Sequence, residues 1–313
     1  MSSPRILLER KKVLDQCNVQ RLREGLSAWN VLPPDQFPDL YPELRGKTVA
    51  PLGQTVTPIR PAEHIPMPLG AKPHGPLSDE EFAGYFDRVA IITLRSRPER
   101  LPQLLHDMQS MPFPFLANRP ALCEDYPKIY QNLSGEELGV PTGWAVDGNK
   151  PAGSWGCMVS HRRVLYDAIS DGIERLLVLE DDCMFAPHFT TKIRSFLEGV
   201  PADWDQLMIG GQKTGRPGTT RTISQGVVQA ANVHRTHCYA LQGEAIRSLW
   251  GWWHQVGLAM HCDVAMGHWQ ATGQKVYCSD PFLAGQREGY SDIRRVIEPV
   301  RFWDGKNRPV RKP

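Results

Sequence analysis

The chain alternates between short, wholly apolar runs and longer segments with helical spacing, and this alternation starts near residue 88. Arg88-Val89-Ala90-Ile91-Ile92-Thr93-Leu94 is apolar through its centre and too short for a helix, so it is predicted as a buried strand. A helix over 99–108 follows, and Trp144-Ala145-Val146 predicts a second strand that closes on Asp147-Gly148. Over 156–171, Cys157, His161, Val164, Leu165, Ala168 and Ile169 fall on one side of a long helix. Leu176-Leu177-Val178-Leu179 reads as a strand that runs straight into Glu180-Asp181-Asp182. A helix over 189–197 and a strand at Gln206-Leu207-Met208-Ile209, stopped by Gly210-Gly211, complete the pattern. Strands alternating with helices imply an α/β fold with a largely parallel sheet covered on both faces.

The first 77 residues behave differently. Leu7, Leu8, Leu14, Leu22 and Leu26 give residues 5–30 one apolar helical face, with Arg and Lys between. Eleven prolines between Pro33 and Pro76 then remove backbone donors and forbid helix interiors, which predicts an extended arm. Ser78-Asp79-Glu80-Glu81 has the form of a helix start. The expected organisation is therefore a helix and Pro-rich arm over 1–77, one α/β domain over 78–305 and a basic tail over 306–313.

Composition narrows the class. The 313 residues are 41% hydrophobic and 22% charged with a net charge of +2, which fits a globular chain and excludes wholesale disorder. No run reaches the roughly 18 apolar residues of a membrane helix, and the N-terminus lacks a secretory pattern, so a cytoplasmic location is expected. The seven cysteines are odd in number, widely spaced and free of any C-x-x-C pair, so neither a zinc knuckle nor a redox dithiol is expected and most are read as small buried hydrophobes in a reducing compartment.

The acidic triplet carries the sharpest chemistry. Ligands of open α/β sheets bind at the carboxyl ends of strands, where this sequence delivers Glu180, Asp181 and Asp182. Adjacent carboxylates repel unless a cation or strong donors compensate, and hard oxygen ligands suit Mg²⁺ or Mn²⁺. Strand alternation points Glu180 and Asp182 one way and Asp181 the other. A solvated acidic turn is the alternative.

Five blocks in order resemble glycosyltransferase family 25, the group of lipopolysaccharide-core and collagen galactosyltransferases. They are Ile91-Ile92-Thr93-Leu94 with the arginines that follow, Gly156-Cys157-Met158-Val159-Ser160-His161, and Leu177-Val178-Leu179-Glu180-Asp181-Asp182. Thr236-His237-Cys238-Tyr239 and Pro281-Phe282-Leu283-Ala284-Gly285-Gln286, the latter followed by Ser291-Asp292-Ile293, complete the set, which spans about 88–293. The resemblance implies a GT-A type fold with a single Rossmann-type mixed sheet flanked by helices. It also implies a UDP-sugar donor (UDP-galactose or UDP-glucose), a divalent cation and an inverting transfer to an acceptor hydroxyl.

On that reading Asp182 holds the metal with help from Glu180, and His268 is a candidate late ligand, as is His261. Arg95, Arg97 and Arg100 are placed to fork onto phosphate, though such a cluster also suits a solvated surface. Thr93 and Asp147 are candidates for the base or ribose, with an Asp-Gly turn the alternative for Asp147. Asp181 is assigned to the donor site. His161 is either a packed histidine or a donor contact. Asp263, after the aromatic Trp250-Gly251-Trp252-Trp253, is the expected catalytic base, and Glu288 its alternative. The favoured acceptor is a glycan. The basic residues of the arm (Arg10, Lys11, Lys12) and tail (Lys306, Arg308) leave a hydroxylated DNA base as a second acceptor. A non-catalytic nucleotide-sugar-binding protein is the third reading.

Overall fold

The computed structural model describes residues 73–302 apart from 112, 117–126, 133, 140–151, 215–219, 257–259, 292, 294 and 295. The predicted N-terminal helix, nearly all of the Pro-rich arm, the strand at 144–146, Asp147 and the basic tail lie outside the described residues.

The domain opens where Ser78 predicts it. Helix α1 (Asp79–Ala83) carries a reciprocal capping box: Glu81 N donates to the Ser78 hydroxyl, and Ser78 N donates to the Glu81 carboxylate. Strand β1 (Arg88–Leu94), helix α2 (Arg100–Ser110) and strand β2 (Lys128–Asn132) follow. Next come α3 (Gly135–Leu138), the long α4 (Ala152–Ser170), β3 (Arg175–Glu180), β4 (Cys183–Phe185) and α5 (Phe189–Gly199). Helix α4 stops at Gly172, whose φ of 68° is cheap only for glycine, and Ile173 N returns to Ala168 O.

A run of short strands comes next: β5 (Gln206–Met208), β6 (Gln212–Lys213), β7 (Arg221–Ser224), β8 (Val227–Gln229), β9 (Val233–His234) and β10 (Cys238–Gln242). Helices α6 (Glu244–Val256) and α7 (Cys262–Gln270) precede β11 (Val276–Ser279), β12 (Ala284–Gln286), β13 (Gly289–Ser291) and β14 (Val296–Glu298).

Eight strands form one mixed sheet in the order β2-β1-β3-β10-β5-β11-β8-β7. This corrects the largely parallel sheet expected from the alternation. β1 runs parallel to β2 and β3, and β5 parallel to β11, but β10 is antiparallel to both β3 and β5. A parallel return needs a crossover, usually a helix, and among the described residues none separates β5 from β10.

Both faces of the sheet are covered, which explains its continuous apolar strands. Ala90, Ile92, Leu176, Val178, Tyr239 and Leu241 pack with α4, α6 and α7 on one side. The alternate residues Val89, Ile91, Leu177, Leu179 and Ala240 pack with α1, α2 and α5 on the other. Trp253 and Trp269 are fully buried in the first layer, and their indole N–H groups bond Cys262 O and the Ser248 hydroxyl. Trp253 is thus part of the core.

Candidate active site

The site forms where β3 ends. The strand stops at Glu180, so Asp181 and Asp182 sit in the turn before β4, and the expected alternation does not carry through. Each acid is held by a different element. Asp181, 5% exposed, accepts from the Thr93 hydroxyl at 2.8 Å and from Leu94 N at 3.3 Å, with Arg100 3.5 Å away. Burial raises its pKa, opposed by those donors.

Glu180 faces the opposite way in chemical terms. Its Oε1 accepts from the Thr236 hydroxyl at 2.6 Å and lies 3.1 Å from His161 Nε2, while His161 Nδ1 lies 3.0 Å from the Tyr239 hydroxyl. Burial alone would raise the Glu180 pKa, but the His161 bond and charge, then Thr236, hold it below the ordinary carboxylate value. Burial works against charge on His161 as well, yet its bonds to Cys157 and Glu180 raise its pKa. His161 is therefore packed, at 1% exposure, and its partners are the side chains of Tyr239 and Glu180.

Asp182 is the exception. Its Oδ2 accepts from Gln286 Nε2 at 3.2 Å, through the pairing of β12 with β4, but its buried Oδ1 has no hydrogen-bond partner among the described residues. Burial, then the charges of Glu180 and Asp181, push its pKa up to about 7. An oxygen stripped of water and of protein donors, beside two more acids, fits a hard divalent cation.

All three acids line one cavity of about 320 Å³, together with Thr93, Arg97, Arg100, His161 and Glu288. Asp263, in the first turn of α7, lines a second cavity of about 290 Å³ with His261 and Cys262. Glu180, Cys157, Arg235 and Gln286 border both, so the two cavities meet at Glu180. Arg95 is exposed and lines neither cavity, and His268, farther along α7, also lines neither. Arg97 lies over the Tyr290 ring, and Arg100 donates to Tyr290 O, which ties the β13–β14 pair to the start of α2.

The motif residues explain one another. Gly156 is required because a Cβ there would come within 2.7 Å of Gly135 N, so α3 could not lie against α4. Ser160 donates its hydroxyl back to Gly156 O at 2.7 Å, within its own helix. Thr236, Tyr239 and Gln286 lie in the family-like blocks with no role that the sequence assigns, and Cys262 is among the cysteines expected to be buried hydrophobes. Cys262 Sγ lies 3.2 Å from Cys157 Sγ, and Cys157, His161 and Glu180 offer ligand atoms all within 4.8 Å of one another.

Residues 150–215 match the model of glycosyltransferase family 25, described as an LPS biosynthesis protein family. The segment spans α4, β3 and all three acids. The chain is 23% identical over 189 residues to human "Inactive glycosyltransferase 25 family member 3", covering 52% of this chain and 28% of that protein. It is 24% identical over 184 residues to mouse "Procollagen galactosyltransferase 2", covering 53% of this chain and 28% of that one. These alignments span little more than a quarter of the relatives' length. Among solved structures, a mannose-1-phosphate geranyltransferase from Thermus thermophilus superposes with a TM-score of 0.33 at 13% identity, over 61% of this chain and 73% of that one. The chain thus has a mixed α/β fold with an acidic site at a strand end. The likeness to glycosyltransferase family 25 that its motifs implied rests on residues 150–215 and on two distant relatives.

Proposed function

We propose that the chain is a metal-dependent, inverting glycosyltransferase that moves a hexose from a uridine diphosphate sugar to a hydroxyl of a glycan. The observation that carries this reading is Asp182 Oδ1, buried and unpartnered among the described residues at the end of β3. Mn²⁺ or Mg²⁺ held there, with Glu180 beside it, would supply the positive charge that offsets the charge gathering on the departing diphosphate.

The chain's own residues do the rest. Arg97 and Arg100 stand on the wall of the first cavity, and their guanidinium forks suit the two phosphates. Thr93 fixes Asp181, and Asp181 in turn fixes Arg100, so that arginine is aimed before the donor arrives. The acceptor enters by the second cavity, where Asp263 takes the proton from its hydroxyl as that oxygen attacks the anomeric carbon. Glu288, exposed at the first cavity, is the alternative base. Galactose is favoured over glucose because a relative is named a galactosyltransferase.

The test is turnover of UDP-galactose with a glycan acceptor set, with and without EDTA. Loss of transfer in EDTA and its return with Mn²⁺ is the expected result. Full turnover in excess EDTA would remove the metal from the mechanism.

A further inference from the structure

Beside the acids lies a group of softer donors that the transferase reading does not use. Cys157 Sγ and Cys262 Sγ are 3.2 Å apart, although 105 positions separate them in sequence. Both line the second cavity, and Cys157 also lines the first, so the pair is reachable from solvent. Cys157 Sγ, His161 Nε2 or Nδ1 and a Glu180 oxygen lie within 4.8 Å of one another. The Tyr239 hydroxyl, 3.0 Å from His161 Nδ1, orients the ring so that Nε2 faces Glu180.

We infer that Cys157, His161 and Glu180 form a binding site for a thiophilic divalent transition metal of the zinc type, completed when Cys262 Sγ, 3.2 Å from Cys157 Sγ, turns in as the fourth donor. Two thiolates, one imidazole and one carboxylate make the four-coordinate donor set that Zn²⁺ prefers, whereas Mn²⁺ and Mg²⁺ select oxygen. Distance favours this over a disulfide. Tetrahedral bonds of about 2.3 Å place two sulfurs about 3.8 Å apart, roughly half an ångström beyond the present contact. An S–S bond of about 2.05 Å requires the sulfurs to close by more than 1 Å. His161 Nε2 and Glu180 Oε1, 3.1 Å apart, are likewise spaced to face one ion. The site shares only Glu180 with the hard-cation position at Asp182, so a zinc-type ion there withdraws Glu180 from the transferase site. The inference does not depend on the transferase reading, because it needs neither donor nor acceptor.

The experiment is Co²⁺ titration of the chelator-treated, reduced full chain, followed by absorption spectroscopy, with no sugar present. The expected result is one tightly held ion with an intense near-ultraviolet thiolate-to-cobalt band. Cys157→Ser and Cys262→Ser should each weaken that band and lower affinity by at least about a hundredfold. Tyr239→Phe, which only frees the imidazole, should keep the band and cost about tenfold. X-ray absorption of the Zn²⁺ form should show sulfur near 2.3 Å, which keeps the test decisive if one variant misfolds. Weak binding without the band, a band that survives both cysteine variants, a zinc shell of oxygen and nitrogen alone, or recovery of the two thiols as a disulfide that takes up no metal would each overturn the inference.

Discussion

Glu180 and Asp182 stand two positions apart at the end of β3 and live in opposite surroundings. Glu180 is met by a hydroxyl, an imidazole and, behind them, a phenol, so its charge is satisfied by protein. Asp182 receives one amide N–H and keeps a buried oxygen with no partner among the described residues. Their pKa values move apart accordingly, Glu180 down and Asp182 up to about 7. Two acids of one sequence motif are therefore not interchangeable. Where protein donors already serve one carboxylate, the unserved one is the better seat for an external cation.

The strongest way to sharpen this comparison lies beyond Glu180, in the second cavity. Asp263→Asn should lower kcat by about a hundredfold to ten-thousandfold while leaving UDP affinity nearly unchanged, because a base acts only in the chemical step. If steady-state kinetics show Glu288→Gln losing kcat instead, the base sits on the Asp182 side and the acceptor enters through the first cavity. Asp182→Asn comes next. It should reduce transfer by at least about a hundredfold, since the cation is asked for several kcal/mol of charge stabilisation.

Stability should divide the two acids with opposite signs. Glu180→Gln leaves the buried His161 without its counter-charge and should cost about 3 kcal/mol in urea unfolding. Asp182→Asn removes a repelled, desolvated charge and should stabilise the metal-free protein by about 1–2 kcal/mol near pH 8. Equal effects from the two substitutions would erase the distinction.

The smallest effect is a slope against pH. A carboxyl whose pKa is raised from about 4 to about 7 on folding binds more protons folded than unfolded in that window. Its contribution is complete below about pH 4 and lost as pH rises through 7. His237 acts in the reverse sense. Burial lowers its pKa to about 4, so its contribution is present above the unfolded value near 6.5 and lost as pH falls toward 4. The two slopes oppose each other, so the informative curve is the difference between wild type and Asp182→Asn from pH 4 to 8. A difference that stays flat would mean that Asp182 ionises normally. Gly210 allows the His237 arrangement, because a Cβ there would stand 2.3 Å from His237 Nε2.

Much of this was legible in the sequence, for identifiable reasons. Strands β1 and β3 announce themselves because both faces are covered, so every inner position must be apolar. The acidic triplet was visible because three adjacent carboxylates demand compensation. Strand β2 was missed, since it lies at the sheet edge and only Tyr130 and Asn132 of Lys128-Ile129-Tyr130-Gln131-Asn132 are buried. Its short alternation is hard to tell from a loop. The antiparallel β10 escaped because alternation of elements says nothing of direction when no helix intervenes. Partner assignments escaped most completely. Nothing local says that Thr236 serves Glu180, that Gln286 serves Asp182 or that Cys262 meets Cys157, because each pairing is made by the topology of the sheet.

The most direct test is Mn²⁺ affinity, measured by electron paramagnetic resonance in the presence of UDP, for Asp182→Asn and Cys157→Ser side by side. The predicted result is a loss of at least about a hundredfold for Asp182→Asn and a change within about twofold for Cys157→Ser, because the proposed hard cation would rest on Asp182 and not on the thiol side. Undiminished Mn²⁺ binding in Asp182→Asn, or an equal loss in both variants, would contradict it.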